Sequence, residues 1–172
     1  MQECSRGAVP EQLAVHGPEI GAEYARRRRA DPKYRFQWRP RLYEISRAAL
    51  AEMTRQHCSY CDGYPLNATG KEEIDHFCPK TREEFYELVC AWENLFIICT
   101  SCNGAKRDQW DPSLLRPDDP EYMFDRYFLF NFETGELKPA PDLGAAERHR
   151  AQRTIEILDL NRSGTCRARS AC

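Results

Sequence analysis

The chain has 172 residues, and its 25 Lys+Arg against 27 Asp+Glu give a formal net charge of -2. This length is typical of one domain and excludes a large multidomain enzyme. No apolar run approaches the ~18 residues that a transmembrane helix needs, and the N-terminal residues lack the apolar core of a signal peptide. We therefore expect a cytoplasmic protein that makes no contact with a membrane.

The balanced total hides an uneven distribution of charge. Residues 1–57 carry 11 basic against 7 acidic side chains, residues 58–147 carry 8 against 18, and residues 148–172 carry 6 against 2. The centre is therefore acidic, and both flanks are basic and rich in arginine, the side chain suited to forked contacts with phosphate or carboxylate. Arg26 to Arg29 form the densest run, for which a solvated helix end and contact with phosphate or a partner are equally good interpretations.

The first half of the chain predicts helices and one short strand. Pro10 and Pro18 favour an extended arm at the N-terminus, and the spacing of Leu42, Ile45 and Ala49 favours a helix. In chain order we predict an extended arm over residues 1–18, helices over 19–29 and 42–57, a strand over 73–77 and a short helix over 81–88.

The second half predicts a buried strand, a hairpin and a closing helix. Apolar residues crowd between Trp92 and Ile98, and Thr134-Gly135 is a turn signal between two β-prone runs. In chain order we predict a strand over residues 92–98, a helix opening at 103, strands over 127–132 and 136–138, a helix over 145–160 and a frayed end over 161–172.

Nine cysteines include two Cys-x-x-Cys pairs, Cys58 with Cys61 and Cys99 with Cys102. Each pair offers two thiolates from one turn, and two pairs complete the tetrahedral site of a structural Zn²⁺ ion with no open position for catalysis. Two disulfides, or four unrelated buried thiols, are the alternative. The odd cysteine number and a reducing cytosol favour the metal.

The segment between the two pairs carries groups suited to phosphodiester hydrolysis. That reaction needs a base for water, a divalent cation and hard ligands to hold the cation. His76 has an imidazole suited to the base, and Asp75 and Asn103 offer hard oxygen ligands for Mg²⁺ or Mn²⁺. Lys106, one helical turn after Asn103, can reach a phosphate.

The order of these motifs resembles the HNH endonucleases, whose ββα-metal core is held here by a four-cysteine zinc. The resemblance covers residues 58–108 and implies that His76 is the general base and that Asp75 and Asn103 hold the catalytic divalent ion. It implies that Asn94 fixes a loop through backbone hydrogen bonds, and that Lys80, Lys106 and Arg107 are the candidate substrate contacts. The motifs are Cys58-x-x-Cys61, Ile74-Asp75-His76-Phe77-x-Pro79-Lys80, Trp92-x-Asn94-Leu95 and Cys99-x-x-Cys102-Asn103-x-x-Lys106.

A narrower resemblance extends over most of the chain. It includes the Asp75-His76-Phe77-x-Pro79-Lys80 form, the Thr134-Gly135 hairpin and the end of the last helix up to Asn161-Arg162. These features are similar to the HNH subunit of Septu-type and retron-associated anti-phage defence systems. That resemblance implies a DNA substrate and an oligomeric complex with an ABC-type ATPase.

We therefore predict an α+β protein in three parts. Residues 1–57 form an N-terminal arm and helices for partner or DNA contact, residues 58–108 form the HNH nuclease core, and residues 109–172 complete the same domain with a hairpin and helix. Two other functions stay open, a zinc module without catalysis that binds nucleic acid or protein, and a free-standing restriction-type nuclease.

Overall fold

The protein is described by a computed structural model over residues 1, 3–67 and 71–170, with the side chains of residues 167–170 left out. It is an α+β protein, as predicted. Its two two-stranded sheets pack among helices, and none of the helices within these ranges combines the length and the apolar character that crossing a bilayer requires. The helices are α1 (Glu11–Ala30), α2 (Pro40–Met53), α3 (Thr100–Lys106), α4 (Phe124–Tyr127), α5 (Ala145–Ile157) and α6 (Ser163–Ser170), and the strands are β1 (Glu72–His76), β2 (Leu95–Cys99), β3 (Phe128–Phe130) and β4 (Leu137–Pro139).

Helix α1 is longer than predicted. The sequence favoured an extended arm up to Pro18, but the helix begins at Glu11 and Pro18 lies inside it. Packing accounts for the difference, because α1 lies directly against a 3-10 helix, Glu83–Cys90. A Cβ at Gly21 would lie 2.3 Å from the Glu87 carbonyl oxygen, so only glycine permits this approach.

Strands β1 and β2 form an antiparallel pair that leads directly into α3. Asp75 lies opposite Phe96 and His76 opposite Leu95. Every residue of β2 is buried, because this strand runs through the core, whereas β1 is buried only at Asp75 and His76. The predicted strand over residues 92–98 was wrong at its start, since Trp92–Asn94 forms a 3-10 turn before β2 begins.

The C-terminal part closes over the same core. Strands β3 and β4 form the predicted hairpin, and the side chain of Asn161 bonds both the amide and the carbonyl of Leu137, each at 2.8 Å. The prediction of a frayed end was wrong for Ser163–Ser170, which form α6, while Ala171 and Cys172 lie outside the described residues. Asn161 therefore ties the end of the chain to the hairpin.

Candidate functional site

The four predicted zinc ligands lie together and are buried. All their Sγ atoms fall within 4.8 Å of one another, with 3.7 Å between Cys58 and Cys102 and 3.8 Å between Cys61 and Cys99. A tetrahedron with Zn–S bonds of ~2.3 Å has edges of about 3.8 Å, whereas a disulfide needs ~2.05 Å. These distances fit the zinc site and exclude disulfides among the four.

Arg162 reaches this cluster from the C-terminal part of the chain. Its guanidinium donates to Cys102 Sγ at 3.1 Å and lies 4.0 Å from Cys99 Sγ. Four thiolates around Zn²⁺ carry a net charge of -2, which this cation partly offsets. Sequence reasoning placed Arg162 in a family motif but gave it no role, because its contact lies 60 residues away along the chain.

His76 lies at the end of β1 and is held by one backbone hydrogen bond. Its Nε2 donates to the Val89 carbonyl oxygen at 2.9 Å. A carbonyl can only accept, so the proton is on Nε2 and Nδ1 keeps its lone pair. Burial, with Lys80 nearby, lowers the pKa of His76 to about 3. The buried imidazole is therefore neutral and accepts a proton only weakly while it stays covered, and its orientation leaves Nδ1 as the accepting atom.

Asp75 and Lys106 form a buried ion pair. Lys106 Nζ lies 3.0 Å from Asp75 Oδ2 and also donates to the His76 carbonyl oxygen at 2.8 Å. The Tyr60 hydroxyl donates to the same Asp75 oxygen at 2.7 Å. Burial raises the pKa of Asp75, although Lys106 and Tyr60 oppose this. The structure places the Lys106 ammonium inside the protein, paired with Asp75. A contact between Lys106 and phosphate stays a prediction.

Asn103 lies on α3, and its side-chain amide donates to the carboxylate of Glu73. Alternate residues of a strand share one face, so Glu73 and Asp75 project from the same side of β1. Glu73 therefore adds a carboxylate beside Asn103. Sequence reasoning missed it, although its position two residues before Asp75 was a usable signal.

Asn94 braces the loop that follows β1. Its Oδ1 accepts from the Cys78 amide at 2.7 Å, and its Nδ2 donates to the carbonyl oxygens of Cys78 and Leu88, both at 3.1 Å. Of the other predicted substrate contacts, Lys80 is half-buried and Arg107 is exposed at the end of α3. Lys80 and Arg107 are thus closer to solvent than Lys106.

The arginine run at the end of α1 is largely engaged within the protein. Arg27 pairs with Glu23 at 2.5 Å, and Arg28 donates to the Tyr34 carbonyl oxygen at 2.9 Å. Arg29 lies 3.4 Å from Glu83 on the neighbouring 3-10 helix. These contacts favour a structural role for most of the run.

No protein-family model matches the chain. It is 37% identical over 117 residues to the Septu protein PtuB of Bacillus thuringiensis, a match that covers 66% of this chain and 40% of that protein. A second Septu protein PtuB, from Bacillus mycoides (strain KBAB4), is 34% identical over 74 residues, which cover 37% of this chain and 25% of the relative. The chain resembles the Septu proteins PtuB. This confirms the predicted Septu-type resemblance, over less than half the length of each relative.

The residues of this PtuB-like chain fit two kinds of metal. The sulfur cluster suits zinc, whereas Glu73, Asp75 and Asn103 supply the carboxylate and amide oxygens that Mg²⁺ and Mn²⁺ prefer. The two donor sets adjoin, because Cys102 and Asn103 are consecutive residues of α3. The sulfur site can therefore fix the helix that presents Asn103.

Proposed function

We propose that the chain is a metal-dependent HNH endonuclease that hydrolyses DNA phosphodiesters, with β1, β2 and α3 as a ββα-metal core. The observation that carries the proposal is the state of His76. A neutral imidazole, fixed by Nε2 on the Val89 carbonyl, stands one residue after an acidic oxygen ligand and keeps Nδ1 as a proton acceptor.

In this reaction His76 Nδ1 accepts a proton from the attacking water. The Nε2–H group keeps its hydrogen bond to the Val89 carbonyl oxygen, which stabilises the imidazolium that forms. Asp75 and Asn103 would hold the divalent ion. When bound, Mg²⁺ or Mn²⁺ offsets the negative charge on the scissile phosphate and on the leaving oxygen. Asn94 keeps the intervening loop in place.

For a divalent ion to bind beside β1, Asp75 and Asn103 would have to give up their present partners. Asp75 is paired with Lys106, and Asn103 contacts Glu73. To hold a divalent cation, Asp75 would have to release the Lys106 ammonium, and Glu73 would offer a further oxygen donor next to Asn103. The expected ligand set is therefore Asp75 and Asn103, with Glu73 as an additional candidate.

The wider role that we propose is that of the nuclease in a bacterial anti-phage defence complex with an ABC-type ATPase. The resemblance to Septu proteins supports it, together with the excess of acidic side chains over residues 58–147. Such a centre repels the DNA backbone, so a partner that brings DNA to the site has a clear physical use. Residues 58–108 form the nuclease core in this proposal, residues 1–57 contact the partner or DNA, and residues 109–172 complete the domain.

The test is cleavage of plasmid DNA by the zinc-loaded chain, with and without the proposed ABC-type ATPase partner, over a series of Mg²⁺ and Mn²⁺ concentrations. His76→Ala should lower the cleavage rate by ~10²- to 10⁴-fold, because it removes the general base. His16→Ala is the matched control, since His16 is exposed on α1. Its cleavage rate should equal that of wild type.

The outcomes separate the three functions. Equal cleavage by wild type and His76→Ala removes His76 from the mechanism. Absence of cleavage under every condition, with nucleic acid or the ATPase still bound, identifies a zinc module without catalysis. Efficient cleavage by the isolated chain at ~150 mM salt identifies a free-standing nuclease instead.

A further inference from the structure

The connection between α1 and α2 lies over the proposed general base. We call residues 31–39 the strap. Trp38 stacks on the His76 ring with a centroid distance of 6.4 Å and an interplanar angle of 22°, and Phe36 meets the same ring edge-on at 6.0 Å. Only 4% of the His76 surface remains exposed. The strap therefore covers the group that has to meet water and phosphate.

The two faces of the strap differ in chemistry. Tyr34, Phe36 and Trp38 are half-buried and point inward, whereas Lys33, Arg35, Gln37 and Arg39 between them are exposed. This alternation follows from extended backbone, in which neighbouring side chains point to opposite sides and alternate ones lie ~7 Å apart. One edge of the strap is aromatic, and the other is a row of cations.

The cations of the strap are available for a ligand. Within the described residues, Lys33, Arg35 and Arg39 enter no ion pair, in contrast to Arg27 and Arg29 of the preceding helix. A row of unpaired cations next to an acidic centre attracts a polyanion and places it beside His76. A phosphodiester backbone fits this surface.

The strap is also weakly attached along its length. Arg28 holds its first part through the carbonyl oxygens of Pro32 and Tyr34. From residue 35 to residue 38, no backbone hydrogen bond joins the strap to the rest of the described chain. Apolar packing of Phe36 and Trp38 against the core and their ring contacts hold this section, and each ring contact is worth ~0.5 to 1.5 kcal/mol beyond its buried area. The ends are anchored, and the middle can move.

We propose that the strap is a DNA-responsive cover: its outward cations bind the phosphate backbone, and this binding moves Phe36 and Trp38 away from His76. This inference rests on the proposed nuclease function, because it assigns a substrate contact to that site. It explains how a chain with an acidic centre selects for bound DNA before its base is exposed.

The first arm of the test measures binding to a short DNA duplex by the zinc-loaded full chain, without Mg²⁺ or Mn²⁺, so that no cleavage is involved. The double variant R35Q/R39Q removes two phosphate contacts, and the slope of log affinity against log salt should fall by about 2. The matched control is R126Q/K138Q, which removes two exposed cations far from the strap in sequence. Its slope should stay at the wild-type value.

The second arm follows the indole of Trp38. The difference in fluorescence between wild type and Trp38→Phe isolates this residue from Trp92 and Trp110. Duplex DNA should shift the isolated emission to the red and increase its quenching by acrylamide, and R35Q/R39Q should abolish both changes. Inorganic phosphate at equal charge concentration should not reproduce them, since it lacks the connected backbone.

The outcomes distinguish this inference from the nuclease proposal. An unchanged salt slope in R35Q/R39Q, or a Trp38 signal that DNA leaves unchanged, overturns the inference even if the chain cuts DNA. Loss of ATPase binding in R35Q/R39Q with unchanged DNA affinity assigns the surface to the protein partner and also overturns it. If both the salt slope and the Trp38 fluorescence respond as expected but the chain never cuts DNA, the result would support the proposed role of the strap and overturn the proposed nuclease function.

Discussion

Replacing Lys106 by methionine should destabilise the protein far more than a surface substitution. The Lys106 side chain is 0% exposed and that of Asp75 is 7% exposed, and their nearest oxygen and nitrogen lie 3.0 Å apart. Methionine keeps most of the volume but removes the ammonium, so the Asp75 carboxylate stays buried with the Tyr60 hydroxyl as its remaining partner. Breaking a buried pair in this way costs ~3 to 5 kcal/mol.

This cost is a large share of the ~5 to 15 kcal/mol by which a domain is stable. The assay is guanidinium unfolding of the zinc-loaded protein for K106M, D75N and the double variant K106M/D75N. Each single variant leaves one partner unpaired, whereas the double variant leaves no buried charge. We expect the double variant to lose less stability than the two single losses together, with a coupling free energy of ~2 kcal/mol or more.

The control is K138M, which alters an exposed lysine and should change the free energy of unfolding by no more than ~0.5 kcal/mol. A loss below ~1 kcal/mol for K106M, together with additive single effects, would refute the reasoning. In that case Lys106 faces solvent and is available for phosphate, as the sequence alone suggested.

Two further predictions concern the zinc cluster and the N-terminal arm. The protein should contain about one Zn²⁺ per chain by elemental analysis. R162A should lose this zinc to a chelator faster than wild type does, with R162K intermediate, because Arg162 offsets the thiolate charge. Equal rates of zinc loss in the three proteins would contradict this. Asp118 contacts Arg6 at 2.7 Å and Arg116 at 3.0 Å, and although burial raises the pKa of Asp118, these arginines lower it overall. The carboxylate therefore contributes stability above pH ~4, and this stability is lost as the pH falls through its folded pKa. D118N should lower the free energy of unfolding by ~2 kcal/mol at pH 7, and in urea unfolding its difference from wild type should narrow below pH 4. A difference that widens below pH 4 would argue against this assignment.

The chemistry of the cysteine cluster could be predicted from the sequence alone. Ligand spacing within a Cys-x-x-Cys turn is a local property, so two such turns indicate a tetrahedral sulfur site before any fold is known. The α+β class and the β3–β4 hairpin follow from local periodicity in the same way, as does helix α2, although it spans Pro40–Met53 and not the predicted residues 42–57. The motif order was enough to indicate the Septu-type resemblance that the comparisons confirm.

The tertiary structure decided which groups face one another. Sequence spacing predicts that Lys106 reaches a phosphate, and only the structure shows that its ammonium pairs with the buried carboxylate of Asp75. The sequence also could not show that Trp38 covers His76, or that Arg162 reaches Cys102, since both contacts join segments far apart along the chain. Residue type and local period determine an element and its possible chemistry, whereas packing between distant elements decides which partner each side chain meets.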